Sequence, residues 1–249
     1  MLHLRVRYWH FLEMLKLWRY LEHFEMGGYQ DHYPNYSRLC TACHILDKGL
    51  HIREFQVGHS ARVYCQAKTL MAKLPADAPF RQDEAFRWCA NVIKQYEKAQ
   101  EAKAVQLPEI HLDSSEADQR TFDALVRSRT SCRDFVMDEV SDQVWREIVE
   151  LALSAPNSCC RQTVRYYIVH NTEAIQKLAP LVAGATGFNK VIPYFICVTS
   201  DLRVYTSKDH RLPYIDAALS LDLFSLAART RGILSTILNF EHATVQERR

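Results

Sequence analysis

The chain has 249 residues, 48% hydrophobic and 24% charged, with 31 Lys and Arg set against 29 Asp and Glu for a formal charge of +2. That balance excludes an intrinsically disordered chain, and the small net charge gives no electrostatic ground for nucleic acid or an anionic membrane as the main partner. The length allows one or two domains around a sizeable core.

Residues 1 to about 101 read as mostly helical, with segments at 8–26, 36–50, 58–74 and 82–102. In the first, Phe11, Leu15, Trp18 and Leu21 form an apolar stripe, while Arg5, Arg7, Glu13, Lys16, Arg19 and Glu22 interrupt every apolar run. The expectation is an amphipathic helix, packed in preference to lying on a membrane surface, with neither a membrane span nor a signal-peptide core. Eight cysteines without an export signal read as reduced thiols, so the expected compartment is the cytoplasm. The stretch "LCTACHILDKGL" contains Cys40-x-x-Cys43-His44, which has three readings: a haem attachment site, half of a zinc site, or one turn of a helix. A structural zinc needs four ligands, and no second pair follows at finger-like distance. The helix is favoured, because Leu39, Cys43, Leu46 and Leu50 fall near one face and free cysteine is a habitually buried residue.

Residues 105–118 have the Pro, Ser and Asp content of a linker, and Ser114 or Ser115 can cap the helix that follows. The second half then alternates. Ser141 is the expected N-cap of a helix over 141–155, with Val144, Ile148, Leu151 and Ala155 on one stripe. "RYYIVHN" and "PYFICVTS" (193–200) read as strands on their aromatic and β-branched content, with a helix "TEAIQKLAPLVA" between them. Residues 212–232 form a long helix, apolar almost all round, with Asp216 and Asp222 its only acids; such a helix is buried in a core or a subunit interface. The order of elements makes an α+β layer rather than a doubly wound sheet.

Two stretches carry possible chemistry. In "RSRTSCRDF" (127–135), Arg129, Ser131 and Arg133 alternate, so an extended backbone points two guanidiniums and a hydroxyl the same way. That suits a phosphate, since Arg offers paired donors; an exposed basic turn is the equal alternative. In "ALSAPNSCCRQT" (152–163), a helix ends near Ala155-Pro156 and a polar loop precedes a strand. The loop reads as a ligand contact or as a plain connection. Adjacent Cys159 and Cys160 read as a structural pair, not a disulfide.

Together these stretches resemble the nitroreductase family of FMN-dependent flavoproteins, over about residues 120–240. The family typically begins with Arg-Arg-Ser-x-Arg-x-Phe, and Arg129-Thr130-Ser131-Cys132-Arg133-Asp134-Phe135 matches it with one change. Its later Ala-Pro-Ser-x-x-Asn-x-Gln-Pro-Trp is similar in length to Ala155 through Val164, which keeps the Ala, Pro and Gln. Cys160 stands where the family has Asn, and Thr163-Val164 where it has Pro-Trp. The family's helix ending in glycine before a short strand looks like Tyr214 through Gly232 and "ILSTILNF". His44-Ile45-Leu46-Asp47-Lys48-Gly49-Leu50 is similar to the His-x-Leu-Glu-Lys-Gly-Leu of a branch with a helical N-terminal extension, found among bacterial surface-polysaccharide gene products. This groups His44 with the residues after it, not with the cysteines before it.

The resemblance implies a nitroreductase-like mixed sheet flanked by helices over 119–249, lacking the usual C-terminal strand, joined by the 105–118 linker to a helical region at 1–104. It implies a homodimer holding FMN at the subunit interface. Arg129, Ser131 and Arg133 would bind the phosphate and ribityl chain, Pro156, Asn157 and Ser158 would lie against the flavin ring with Gln162 nearby, and backbone near Leu238 and Asn239 would approach the flavin N5. The implied reaction is ping-pong hydride transfer from NAD(P)H to an unidentified small-molecule acceptor, with polysaccharide metabolism as the implied setting. No acid or base side chain and no metal ligand is nominated, because the cofactor carries the chemistry. The alternative is a flavin-free relative acting as a dimerising or partner-binding module.

Overall fold

The computed structural model describes residues 33–52, 55–105 and 113–238, so the helix expected at 8–26 lies outside the described residues. Two compact units are present. The first holds the described part of Met1–His111 with Pro156–Thr163 and Ser200–Asp216; the second holds the rest.

In the first unit three helices pack together: α1 (Tyr33–Leu50), α2 (Ala61–Lys73) and α3 (Glu84–Ala102). The apolar stripe predicted for α1 is its buried face, since Leu39, Cys40, Cys43, Leu46 and Leu50 all lie in the core beside Phe86, Cys89, Val92 and Tyr96. Each large apolar side chain so buried contributes roughly 1.5–3 kcal/mol. The Cys-x-x-Cys-His stretch is therefore a helical turn. Cys43 donates to the Cys89 carbonyl at 3.7 Å, and Cys89 Sγ meets Cys40 Sγ at 3.8 Å. Among the described residues no group of three or more His, Cys, Asp or Glu is placed to hold a metal ion. A Cβ at Gly49 would stand 2.6 Å from the His59 ring, so a larger residue there would have to displace that exposed side chain. Helix α2 starts three residues later than its expected 58, because Gly58 (φ 82°) and Ser60 (φ 60°) are left-handed. At its far end Arg81 donates to the carbonyls of Leu74 (2.8 Å) and Pro75 (2.6 Å), adding side-chain donors where the helical ladder stops.

The second unit begins with α4 (Glu116–Ser128), where Ser115 and Asp118 form a reciprocal capping box. Helix α5 (Asp142–Leu153) has the expected Ser141 cap, whose side chain accepts from the Val144 N–H. The strands are β1 (Val164–Val169) and β2 (Phe195–Ser200), with α6 (Thr172–Leu178) between them in sequence and α7 (Leu212–Thr230) after them. Asp201, just past β2, donates to the Thr163 carbonyl just before β1, so the two strands run antiparallel. The protein is thus α+β, helix-rich with a small sheet and a helical N-terminal region. Aromatic stacking organises the core between α5 and α7: Tyr166 lies 5.1 Å from Phe224 at 11°, and Trp145 5.1 Å from Tyr194. Ser220 on α7 donates to the Ala152 carbonyl of α5 and meets the Tyr166 hydroxyl at 2.7 Å.

Two expectations are corrected. The helix expected through residue 183 stops at Leu178, and Ala179–Leu181 forms a tighter turn because Pro180 has no N–H to continue the ladder. "ILSTILNF" is not a strand within the described residues; only Ser235 pairs, in one parallel bridge to Ser131. Helix α7, expected in a core or a subunit interface, buries Phe224, Ala227 and Ala228 within the chain and leaves Tyr214 (67% exposed), Ile215 and Leu219 exposed.

Candidate functional site

The sequence-nominated residues fall into both units. In the second, α4 ends where Arg129 turns extended (ψ 123°), and the chain then runs beside residues 235–238. Cys132 donates its N–H to the Ser235 carbonyl at 3.2 Å, and Thr236 Oγ1 donates back to the Cys132 carbonyl. Phe135 tilts against Phe188 with centroids 6.4 Å apart, and Leu238 packs into the same small core with Ala179, Val182 and Ala185. Cys132 and Phe135 thus anchor the segment, while Arg129, Ser131 and Arg133 are exposed. Neither guanidinium has a carboxylate partner among the described residues. The pairing brings Arg129, Ser131 and Arg133 alongside the segment of Leu238; Asn239 lies outside the described residues.

Pro156, Asn157, Ser158 and Gln162 belong to the first unit. Their loop holds three non-glycine residues in the left-handed region: Cys159 (φ 53°), Cys160 (φ 52°) and Gln162 (φ 55°). Each such conformation costs of order 1 kcal/mol and persists only where surrounding bonds enforce it. Those bonds are present. Ser158 gives its backbone N–H (2.9 Å) and its hydroxyl (2.8 Å) to Asp216 Oδ1, and Asn157 Oδ1 accepts from the Gln162 N–H at 3.1 Å. The Arg161 carbonyl accepts from the buried Ser37 hydroxyl at 2.6 Å. Its guanidinium pairs with Asp209 at 3.1 Å and lies 4.9 Å over the Tyr205 ring.

Tyr205 completes the network. Its hydroxyl donates to Asp216 Oδ2 at 2.7 Å and meets Thr163 Oγ1 at 2.7 Å, with Ser200 donating to Thr163. Burial pushes the Tyr205 hydroxyl up to about 12, and burial pushes the Cys160 thiol up to about 11. Both groups are held neutral, so neither is an available base or nucleophile near neutrality. Asp216, Tyr205 and Asp209 were not nominated from the sequence. The available signal was Asp216 itself, one of two acids in an otherwise apolar helix, since a buried carboxylate must have donors.

A Nitroreductase family model matches residues 126–191, a span under half of the chain that includes both the Arg129–Phe135 segment and the Ala155–Gln162 loop. Among solved structures, an FMN-dependent nitroreductase from Clostridium difficile R20291 is 24% identical over 43% of this chain and 60% of its own (TM-score 0.38). A nitroreductase with bound FMN from Desulfitobacterium hafniense DCB-2 is 26% identical over 45% and 65% (TM-score 0.37). A nitroreductase family protein from Clostridium novyi NT is 17% identical over 45% and 65% (TM-score 0.40). The chain spans less than two thirds of the length of these structures. No curated protein matches it.

Proposed function

We propose that this chain is a nitroreductase-type oxidoreductase that binds FMN and passes hydride from NAD(P)H to a small-molecule acceptor by a ping-pong reaction, working as a homodimer in the cytoplasm. The observation that carries the reading is the pairing of Ser131 with Ser235, which sets two of the three segments implied to contact flavin side by side. The donor set suits the group: two exposed guanidiniums, without carboxylate partners among the described residues, and a hydroxyl between them match a phosphate monoester. When bound, the flavin supplies hydride acceptance and donation. Arg129 and Arg133 would hold its phosphate and Ser131 its ribityl chain, while Leu238, seated in the core, would fix the backbone beside them. Helix α4 supports the dimer: it has no buried residue, and Phe122 and Val126 are exposed on it. The similarity of His44–Leu50 to the polysaccharide-associated branch supports an acceptor from that metabolism, with the 119–249 region carrying the chemistry and the 1–104 region as its helical extension.

A second reading, a flavin-free dimerising or partner-binding module, draws on the loop. Ser158 and Asn157, nominated to face the flavin ring, spend their polar groups on Asp216 and Gln162 within the first unit. Two measurements separate the readings: the flavin absorbance bands of freshly purified protein, and quenching of FMN fluorescence on titration. Colourless protein that leaves FMN fluorescence unchanged overturns the first reading. Light scattering on the same sample tests the dimer.

A further inference from the structure

In the first unit one peptide is held at both ends. The Arg161 carbonyl accepts from the Ser37 hydroxyl of α1 at 2.6 Å, and the N–H of the same peptide, that of Gln162, donates to Asn157 Oδ1 at 3.1 Å. Ser37 is fully buried and Arg161 is 8% exposed, so water competes little for the first bond.

The orientation of this peptide sets the strain at Gln162. A planar peptide can turn between its two flanking Cα atoms, changing ψ of the residue before it and φ of the residue after it while the chain path stays nearly fixed; type I and type II turns differ in this way. Arg161 has ψ −21° and Gln162 φ 55°, so such a turn takes Gln162 out of the left-handed region that its Cβ disfavours. Two bonds oppose that relaxation, one from within the loop and one from α1. The same helix braces the loop again through Cys160, also left-handed, which packs against the core of Leu39, Cys40 and Cys43.

A loop whose shape is fixed before binding spares its ligand the cost of ordering it. Pro156, Asn157, Ser158 and Gln162 are the residues implied to meet the flavin ring, whereas the helical region that carries Ser37 contributes none of the nominated residues. We propose that Ser37 is a positioning residue of the flavin site: its hydroxyl locks the Arg161–Gln162 peptide, so that the helical region serves FMN binding without touching the cofactor. The assignment rests on the flavin reading and gives the helical region a role in it.

Ser37→Ala in the full chain tests the proposal, read by quenching of FMN fluorescence and by hydrogen exchange of the Gln162 amide in nitrogen-15-labelled protein without flavin. The variant is expected to weaken FMN about three- to tenfold, the effect of one neutral hydrogen bond, and to speed exchange of the Gln162 amide by about the same factor or more. Ser37→Cys keeps a weak donor of similar size, so it should fall between the parent and Ser37→Ala on both readouts, and it carries the comparison if Ser37→Ala does not fold. Val92→Ala, a cavity in the same core at a residue 1% exposed, controls for lost stability. It should lower the urea midpoint yet leave FMN affinity and the Gln162 amide as in the parent. If the parent leaves FMN fluorescence unchanged, the flavin reading falls and the role of Ser37 falls with it. If the parent binds FMN, the proposal alone is overturned by equal affinity in Ser37→Ala, by a Gln162 amide equally protected there, or by an equal loss of FMN in Val92→Ala.

Discussion

Ser158 donates both its backbone N–H and its hydroxyl to one oxygen of Asp216, at 2.9 and 2.8 Å, across 58 residues of sequence. The other oxygen takes the Tyr205 hydroxyl at 2.7 Å, so one buried carboxylate ties together a strained loop, a ring and the first turn of α7.

Asp216→Ala is expected to destabilise the first unit by about 2–5 kcal/mol, since it removes the acceptor of one buried and two partly buried donors at once. Asp216→Asn keeps one acceptor oxygen and should cost less. Urea denaturation followed by far-UV circular dichroism measures both. Equal midpoints for Asp216→Ala and the parent would show that the loop is held by other means.

Stability should fall on the alkaline side. Burial raises Tyr205 from 10.0 to about 12 and Cys160 from 9.0 to about 11. An acid with a raised pKa keeps its proton longer in the folded state than in the unfolded one, so the unfolded state binds fewer protons and gains as pH rises. The contribution is intact below about pH 9 and is lost progressively up to about pH 12. Urea midpoints at pH 8 and pH 11 should differ in that direction, and Cys160→Ser should remove the part that sets in first.

If the flavin reading holds, Arg129→Ala and Arg133→Ala should each weaken FMN about ten- to a hundredfold, the effect of losing one charge-assisted hydrogen bond. Both side chains are exposed, so melting temperature should stay within a degree or two of the parent. Fluorescence titration reads the first effect and calorimetry the second. Unchanged FMN affinity in both variants would remove these arginines from the site.

Lys103→Gly is expected to stabilise. Lys103 follows α3 at φ 55°, ψ 25°, the left-handed position that closes a helix, and its side chain is exposed. Glycine removes a penalty of about 1 kcal/mol there and returns part of it as extra freedom in the unfolded chain. A net gain of about 0.5 kcal/mol in urea denaturation is the expected result, and Lys103→Val should move the midpoint the other way.

What the sequence determined by itself was local. The period of Leu39, Cys43, Leu46 and Leu50 defined α1, and Ser115 and Ser141 were legible as caps because a cap bonds to residues three positions away. The same local character resolved Cys40–His44 as helix, since the thiols share its buried face. Tertiary structure decided what lies far apart in sequence: Ser131 against Ser235, Ser37 against Arg161, and Ser158 against Asp216. Such bonds form only after long loops close, and their partners carry no common periodicity. It also decided the left-handed backbone of Cys159, Cys160 and Gln162, held by such bonds against the preference of Cys and Gln, and the Trp145 N–H, which packing buried without an acceptor among the described residues.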